Sequence, residues 1–295
     1  MTPATASSHS PASSSKNSPF QGDLGGHFVL TAEQRAYFRE NGYIKLKQVL
    51  RPETLEHFRR QISEQVRLLN TQHLPMEQRT TYQKAFLQIS NIWEKSEIVR
   101  EFVFAPKLAR IAAELMGVSG VRMYHDQALY KEAGGGITPW HADQYYWPVS
   151  NDHTITAWIP LQATPLEMGP LAFARKTHRM AFGRDLEISD ESEQKIQKSL
   201  KDAQADIDET PFDLGEVSYH LGWTFHRAGA NRSAQPREVM TVIYVDEDIR
   251  LIEPKTKSHE ADRHRWCPGV EIGGVLNGPL NPLLWSSRSG LRAQS

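Results

Sequence analysis

The sequence predicts a mainly β protein with flanking helices, built as an antiparallel sandwich or jelly roll. From Val121 onward, the chain holds short runs rich in β-branched and aromatic residues, separated by Gly, Pro, Asn and Asp. The predicted strands cover residues 121–131, 154–163, 215–226 and 238–246. Because helices do not alternate regularly with these runs, antiparallel strands are favoured over a parallel sheet. Most helical patterns come earlier in the chain, so we expect helices that support the sheets from outside.

The first part of the chain predicts a disordered tail. Its opening, "MTPATASSHSPASSSKNSPF", is dominated by Ser, Ala, Pro and Thr and has almost nothing to bury, so we expect disorder over residues 1–25. A transit or signal peptide is the alternative, but the segment lacks the arginines of the first and the apolar stretch of the second. Residues 26–295 are expected to form a single domain, because 295 residues with 39% hydrophobic content can bury one core but hardly two.

Two helices are predicted at the start of the ordered chain. In the first, Thr31 is the N-cap, Gln34 completes a capping box and Gly42 ends the helix. The second begins at Pro52. Its apolar residues recur at helical spacing and predict a buried face: Leu55, Phe58, Ile62, Val66 and Leu69.

A third helical region and a charged insertion are also visible. The region at residues 96–117 is interrupted by Pro106 and ends at Gly117. The stretch before it, residues 70–91, has no pattern that assigns it. Residues 182–211 form a highly charged insertion that predicts a solvated helix, which is either a lid over a site or a surface excursion without a role.

Composition limits the partners and the compartment. With 34 basic and 35 acidic residues the formal net charge is -1, which argues against nucleic acid or an anionic membrane as partner. Cys267 is the single cysteine, so an internal disulfide is impossible and a reducing, cytoplasmic location fits. Apolar runs all fall short of the roughly 20 residues of a membrane span. We therefore expect a monomer or homodimer that binds a small molecule, with no nucleic acid or membrane partner.

The segment "TPWHADQYYWP" holds His141 and Asp143 two positions apart. Side chains at this spacing point the same way on a strand but roughly 200° apart on a helix, so the pair can hold one metal ion only if the backbone is extended. Pro139 and the aromatic residues that follow favour an extended backbone. By itself, however, such a pair is more often an ordinary polar strand end.

A third metal ligand would have to come from elsewhere in the chain. The candidate histidines are His125, His153, His178, His220, His226 and His264. We favour His226, because it closes a predicted strand just before the turn "RAGANRSAQP", where a site at the mouth of a barrel would open. His220 lies deeper in the same predicted strand, where a histidine more often packs or forms a hydrogen bond. Two histidines and one carboxylate on one face of an ion are typical of non-haem Fe(II) oxygen chemistry.

Arg237 strengthens the interpretation of these candidate ligands as a metal site, because it follows His226 across a turn at the head of the next predicted strand. If the two strands lie side by side, the guanidinium and the metal share one interior. The planar guanidinium could then hold the distal carboxylate of a keto acid. A surface arginine such as Arg232 is the alternative. A zinc hydrolase is less favoured, because the helical signature H-E-x-x-H is absent and such an enzyme has no use for Arg237.

From about Gly42 to Trp285, the sequence resembles the phytanoyl-CoA hydroxylase-like family of Fe(II)- and 2-oxoglutarate-dependent dioxygenases. The matching motifs are "WHADQYYWP", "TAWIPLQATPLEMGPLAFARKTHR", "GWTFHRAGANRSAQPREVMTVIYV" and "GPLNPLLW". The resemblance implies a double-stranded β-helix, a cupin-like jelly roll. It also implies an enzyme that uses Fe(II), 2-oxoglutarate and O2 to oxidise a C–H bond, with hydroxylation as the expected outcome and release of succinate and CO2. A non-catalytic or zinc-binding cupin-like protein is the alternative.

The resemblance further implies roles for individual residues. The catalytic iron would be held by His141, Asp143 and His226. Arg237 would hold the C5 carboxylate of 2-oxoglutarate, and Trp158 and Gln127 would line the same pocket, although Trp158 could also be a core aromatic. Ala228 stands where some relatives carry a serine, which removes one possible hydrogen bond to the keto acid. The carboxylate of Asp143 argues against a halogenase, since halogenases on this scaffold have Ala or Gly there.

The aromatic residues after the HxD pair predict a substrate wall. Tyr145, Tyr146 and Trp147, with Trp140 before the pair, would present flat apolar surfaces to a compact, largely apolar molecule of secondary metabolism. If the strand continues, alternation turns Tyr145 the same way as Asp143, towards the iron, and Tyr146 towards the other layer. A fatty acyl thioester or a protein is the less favoured substrate.

Overall fold

The computed structural model describes residues 18–288. Most of the predicted tail, residues 1–17, lies outside the described residues. The predicted boundary at residue 25 is nevertheless wrong, because helix α1 (Gln21–Leu24) is ordered and buries Asp23 and Leu24. The Asp23 carboxylate accepts hydrogen bonds from Lys107 Nζ at 2.5 Å and from the backbone N–H of Arg51 at 2.9 Å. Composition cannot reveal such long-range partners.

The other helices follow the capping signals closely. They are α2 (Ala32–Asn41), α3 (Pro52–Leu69), α4 (Thr81–Ala85), α5 (Glu97–Val103), α6 (Pro106–Met116), α7 (Asp190–Asp202) and α8 (Lys257–Trp266). Both hydrogen bonds of the predicted capping box of α2 form, and Gly42 ends the helix with a φ of 79°. Pro106 separates α5 from α6, as predicted. The unassigned stretch at residues 70–91 contains α4, a short 3₁₀ turn and one strand.

The strands form two antiparallel sheets. They are β1 (Tyr43–Leu46), β2 (Leu87–Ser90), β3 (Gly120–Tyr130), β4 (Thr138–His141), β5 (Thr154–Pro160), β6 (Leu171–Ala174), β7 (Ile207–Asp208), β8 (Val217–Leu221), β9 (His226–Ala228), β10 (Val239–Asp246) and β11 (Leu283–Ser286). One sheet has the order β1-β8-β5-β10-β3-β11, with β2 also paired to β3, and the other has the order β4-β9-β6-β7. The prediction of antiparallel sheets with flanking helices is therefore confirmed.

The seven-stranded sheet separates the hydrophobic core from a cavity. Residues on its first face, such as Ile155, Ala157 and Tyr219, pack with apolar residues of α3, α5 and α6. Alternate residues point to the opposite face, because successive side chains of a strand point to opposite sides. Those that line the cavity include Thr156, Trp158, His220 and Thr241.

The predicted strand at residues 215–226 is two strands in two different sheets. β8 ends at Leu221, a turn follows, and His226 begins β9. The turn requires Gly222, because a Cβ at this position would lie 2.4 Å from Thr154 Oγ1 and 2.5 Å from Gln144 Oε1. His220 and His226 are therefore not neighbours along one strand, and the expectation that they share a strand is wrong.

The charged insertion is not a fully solvated helix. Ile196 and Leu200 of α7 are buried in a cluster with Trp140. Glu193 accepts hydrogen bonds from the backbone N–H of Trp140 at 2.7 Å and from Arg227 Nη1 at 3.2 Å. Helix α7 thus packs on β4, the outer strand of the smaller sheet. This contact was not predicted because the apolar stripe of α7 lies among many charged residues.

None of the helices within residues 18–288 combines the length and the apolar character that a crossing of the bilayer requires.

Candidate active site

His141, Asp143 and His226 meet at the end of β4. His141 is the last residue of this strand and the cross-strand partner of His226 in β9. Ala142 keeps an extended backbone, with φ -125° and ψ 128°, so Asp143 follows on the same side before the chain turns. One ligand atom from each of the three residues lies within 4.8 Å of the others. The extended geometry that the HxD spacing requires is therefore present.

Hydrogen bonds fix the orientation of both imidazoles. The Nδ1 of His141 lies 2.7 Å from the carbonyl oxygen of Pro139, and the Nδ1 of His226 lies 3.0 Å from that of Thr224. Because a carbonyl oxygen only accepts, each Nδ1 carries the proton and donates. The lone pair of each Nε2 is then free, and the two Nε2 atoms lie 3.5 Å and 3.6 Å from Asp143 Oδ1. This is the arrangement in which histidines bind metals.

Asp143 uses its two oxygens differently. Oδ2 accepts a hydrogen bond from Thr156 Oγ1 at 3.0 Å and lies 3.3 Å from His220 Nε2. Burial opposes ionisation of Asp143, but the imidazoles of His226, His141 and His220 hold its pKa well below the usual value. Burial and the neighbouring His141 hold the pKa of His226 well below its usual value. A carboxylate thus faces a neutral imidazole, and these are the protonation states of metal ligands.

The remaining candidate histidines have other surroundings. His220 contacts Asp143 on the oxygen that faces away from the other two imidazoles. His153 lies 3.2 Å from Asp246, and the exposed His264 lies 2.7 Å from Glu260. Within residues 18–288, the group with metal-binding spacing consists of His141, Asp143 and His226.

Arg237 is a buried cation without a carboxylate partner within residues 18–288. Its Nη1 donates a hydrogen bond to the carbonyl oxygen of Gly169 at 2.7 Å, and its Nε has no partner there. The guanidinium carbon lies 5.3 Å from the ring centroid of Trp158. Burial lowers the pKa of Arg237 to about 9, so the group is charged at neutral pH. A buried charge of this kind is costly unless an anion pairs with it.

One cavity of about 520 Å³ connects the histidine–aspartate group with Arg237. This volume lies in the range of about 300 to 1,000 Å³ that is common for small-molecule sites. The two strands that carry His226 and Arg237 do not pair, however, so the prediction that they lie side by side is wrong. β9 belongs to the smaller sheet, whereas β10 follows Arg237 in the larger one, and the two side chains reach the cavity from different sheets.

Gln127 and Trp158 line the same cavity as Arg237. They lie in one row across the larger sheet, since Thr241 of β10 is opposite both Gln127 and Trp158. Trp158 also contacts the core aromatic Phe212, so the two interpretations of this residue do not exclude each other.

The aromatic residues after Asp143 are arranged differently from the prediction. Residues 143–146 form a 3₁₀ turn, so strand alternation does not apply to them. The cavity lining includes Tyr146 and Trp147 but not Tyr145, whose expected orientation towards the metal site is wrong. Tyr145 instead packs against Tyr146, and its carbonyl oxygen contacts His259 Nε2 at 2.9 Å.

Several cavity residues were missed by the sequence analysis. They come from three segments: Tyr82, Phe86 and Gln88 around α4 and β2, Glu187 and Ile188 of the insertion, and Asp262, Arg265 and Trp266 of α8. Helix α8 is polar along nearly its whole surface, so no apolar periodicity marks it. Its one local signal is Thr256, whose side chain caps the helix by accepting from the N–H of His259.

The donor set fits a divalent iron ion. Two imidazole nitrogens and one carboxylate oxygen on one side of a cavity leave other positions open, as non-haem Fe(II) oxygenases require. The buried guanidinium of Arg237 in the same cavity fits the distal carboxylate of a keto acid.

Comparison with known proteins agrees with this geometry. The family model for phytanoyl-CoA dioxygenase (PhyH) matches residues 38–239. A probable alpha-ketoglutarate-dependent hypophosphite dioxygenase of Stutzerimonas stutzeri is 23% identical over 232 residues, which are 74% of this chain and 79% of that protein.

Solved structures share the fold. The non-haem alpha-ketoglutarate-dependent carbocyclase SnoK from nogalamycin biosynthesis is 25% identical, with a TM-score of 0.72 over 88% of this chain and 99% of that one. The epimerase SnoN, solved with Fe3+, alpha ketoglutarate and nogalamycin RO, is 22% identical, with a TM-score of 0.68 over 86% of this chain and 98% of that one. The expected jelly-roll fold is therefore confirmed.

Proposed function

Because the chain belongs to the phytanoyl-CoA dioxygenase family, we propose that it is an Fe(II)- and 2-oxoglutarate-dependent dioxygenase that oxidises a C–H bond of a small organic substrate. The observation that carries the proposal is that the His141–Asp143–His226 group lines one cavity with the buried Arg237, which has no carboxylate partner within residues 18–288. Neither feature alone identifies this chemistry, but the reaction needs both.

In this proposal, the iron would be held by the Nε2 atoms of His141 and His226 and by Oδ1 of Asp143. The hydrogen bonds at the two Nδ1 atoms would orient each imidazole with Nε2 towards the metal. Thr156 and His220 engage the other oxygen of Asp143 and so direct Oδ1 at the ion. When bound, the iron supplies activation of O2, coupled to oxidation of 2-oxoglutarate to succinate and CO2.

Arg237 would bind the C5 carboxylate of 2-oxoglutarate through charge-assisted hydrogen bonds. Trp158 and Gln127 would flank the keto acid, in agreement with their shared row on the cavity face. Ala228 lines the cavity and pairs across the strands with Thr138, another lining residue. We propose that the Thr138 hydroxyl serves where Ala228 lacks one.

The substrate is proposed to be a small molecule bound beside the metal, and Tyr146 and Trp147 are proposed as its wall. Both line the cavity, whereas Tyr145 lies outside the lining and is not proposed again. Hydroxylation with release of succinate is the proposed outcome. Residues 18–288, which include helix α1, are proposed to act as a single domain. A reducing, cytoplasmic location is proposed because Cys267 is the single cysteine of the sequence.

A non-catalytic or zinc-binding cupin-like protein is not favoured. A structural zinc site closes all four positions with protein ligands, whereas the group found within residues 18–288 supplies three. A zinc hydrolase would also leave Arg237 buried without a partner.

The proposal is tested by succinate release. Purified protein is reconstituted with Fe(II), supplied with 2-oxoglutarate and O2, and screened with small metabolites, acyl-CoA thioesters and peptides. We expect at least one small metabolite to increase succinate formation together with an oxidised product, and the His226→Ala variant to form neither. Hydrolysis with zinc in place of iron, without succinate, would contradict the proposal.

A further inference from the structure

His125 is a buried histidine that the reaction scheme above does not use. Its side chain lines the cavity, although the residue is only 5% exposed. Its Nδ1 has no hydrogen-bond partner within residues 18–288. The ring stacks on Trp266, with centroids 4.4 Å apart. The Nδ1 atom is itself buried, so a ligand in the cavity would meet the other edge of the ring, which can offer Nε2 as a donor or an acceptor.

Strand alternation places this histidine on the cavity side of β3, the side of Gln127 and Leu129. The register between β3 and β10 shifts after the pair of Ile243 with His125. The next pair joins Tyr244 to Met123, so Tyr124 is the extra residue. The bulge therefore changes the alternation only for the residues before His125, and His125 stays in register with Gln127.

His125 lies level with the metal ligands, not with the keto-acid pocket. Across the larger sheet, His125 is opposite Ile243, which in turn is opposite Thr156. Thr156 is the residue that donates to Asp143. Gln127 lies two residues further along β3, at the level of Trp158 beneath Arg237. A molecule beside the metal but outside the keto-acid pocket therefore meets His125.

The charges around this end of the cavity do not favour a polyanionic ligand. The charged residues that line it are Glu187, Asp262 and Arg265, two acidic and one basic. A coenzyme A moiety would need several cations there. The other walls are aromatic, from Tyr146, Trp147 and Trp266. Flat walls with little net charge suit a neutral ring compound.

We propose that this end of the cavity is the substrate subsite, that the substrate is a neutral ring compound bearing a hydroxyl or carbonyl group, and that His125 binds this oxygen. The inference rests on the proposed function and adds the substrate class and a specificity-determining residue. Burial lowers the pKa of His125 to about 3, so the neutral imidazole can donate to a carbonyl or accept from a hydroxyl. The sequence predicts a compact, largely apolar substrate, and this proposal adds that the substrate carries a hydroxyl or carbonyl oxygen.

The test uses probes of one size and shape. Protein loaded with Fe(II) and 2-oxoglutarate, without O2, is titrated calorimetrically with 1-tetralone, 1-tetralol, the hydrocarbon tetralin and coenzyme A. We expect the wild type to bind the ketone and the alcohol about tenfold more tightly than tetralin, the value of one net hydrogen bond. Coenzyme A should not bind.

Variants of His125 identify the group responsible. His125→Phe keeps a ring stacked on Trp266 but removes both nitrogens. The ketone and the alcohol should then bind no more tightly than tetralin. His125→Asn should restore part of the preference, because its amide donates and accepts. His264→Phe is the matched control, since His264 is an exposed histidine on the neighbouring α8, and it should keep the wild-type preference.

Each contrary result is decisive. Equal affinities for the three ring compounds, absence of binding by all of them, preference for coenzyme A, or a preference that survives in His125→Phe would overturn the subsite. The visible absorption band of Fe(II) with 2-oxoglutarate is read in the same samples. If the band is present while the preference is absent, the dioxygenase proposal stands and the subsite falls. If the wild type lacks the band, both proposals fall.

Discussion

At the scale of single residues, Asp143 connects the metal group to the larger sheet. Its Oδ2 is engaged by Thr156 of β5 and His220 of β8, while Oδ1 faces His141 and His226 of the smaller sheet. Partners that orient a ligand are worth about 10- to 100-fold in metal affinity, whereas the loss of a ligand removes the site.

Substitutions at this group should therefore separate ligands from orienting residues. Changing His141, Asp143 or His226 to Ala should abolish iron retention and turnover. His220→Ala should keep a stoichiometric iron site with affinity reduced by about 10- to 100-fold, because His220 contacts the other carboxylate oxygen. Iron content after anaerobic reconstitution decides this. Loss of iron in the His220 variant together with retention in the His226 variant would show that the ligands were misassigned.

Arg237 should determine the affinity for 2-oxoglutarate. Arg237→Ala removes the charged partner of the keto acid's distal carboxylate, at a cost of about 2 to 5 kcal/mol, so the affinity should fall by about 30-fold or more. Arg237→Lys should restore only part of it, because an ammonium group cannot form the paired hydrogen bonds of a guanidinium. The measurement is the dissociation constant of 2-oxoglutarate with Fe(II) bound.

Arg232 provides the control for this prediction. It lies in the same loop as Arg237 but is exposed. Arg232→Ala should leave the affinity for 2-oxoglutarate unchanged. Equal affinities in the wild type and the Arg237→Ala variant would remove Arg237 from the site.

At the scale of secondary-structure elements, α7 supports the strand that ends in His141. Ser192 donates to the carbonyl oxygen of Trp140 at 2.9 Å, and Glu193 accepts from the N–H of the same residue at 2.7 Å. Both backbone groups of Trp140 on the outer edge of β4 are thus paired by one helix. This contact explains why a charged insertion stays attached to the protein, and it joins the insertion to the metal group.

Glu193→Ala should accordingly affect both stability and the metal site. It removes the partner of the Trp140 N–H and the nearer of the two carboxylates beside Arg227, whose other neighbour is Glu209. The free energy of unfolding should therefore fall by about 1 to 3 kcal/mol, and iron affinity should decrease. Glu191→Ala is the control, because Glu191 lies on the same helix with its side chain 66% exposed. Urea denaturation and iron titration measure the two effects. Indistinguishable behaviour of the two variants would show that α7 does not support the site.

The elements also show why sequence patterns succeeded in one place and failed in another. The HxD spacing predicts an extended backbone from His141 to Asp143, and Ala142 has it. The same reasoning failed at Tyr145, because the chain turns at Asp143 and alternation ends there. Gly222 likewise divides the predicted strand at residues 215–226 into β8 and β9. Thr154 and Gln144 lie too close to this position for it to carry a side chain. Both turns depend on contacts with distant residues, which local patterns do not contain.

At the scale of the whole molecule, the cavity is assembled from both sheets and from segments far apart in the sequence. The predicted residues at its centre, such as His226 and Arg237, belong to motifs with a recognisable spacing. The residues at its mouth, such as Asp262 and Arg265, come from a polar helix that has no apolar pattern. The sequence therefore predicts the fold class and the central group, whereas the mouth depends on how α8 docks in three dimensions.

The docking of α8 also predicts a pH dependence of stability. Burial raises the pKa of Asp262 to about 7, against about 4 in an unfolded chain. The folded protein thus binds more protons than the unfolded chain between about pH 4 and 7, so this group's contribution to stability is lost as the pH rises through that window. Asp262→Asn should make the decline in unfolding free energy shallower. Asp213→Asn is the control, because Asp213 is exposed and paired with Lys47. An unchanged slope of the unfolding free energy against pH in Asp262→Asn would contradict the prediction.

The central claim is that one cavity holds the iron and the keto acid together. The most direct measurement is an anaerobic titration of the Fe(II)-loaded protein with 2-oxoglutarate, followed by visible absorption. We predict that the wild type develops a charge-transfer band that saturates at one 2-oxoglutarate per iron, and that the band is absent from His226→Ala. An iron-loaded wild type that develops no band at saturating 2-oxoglutarate would contradict the account.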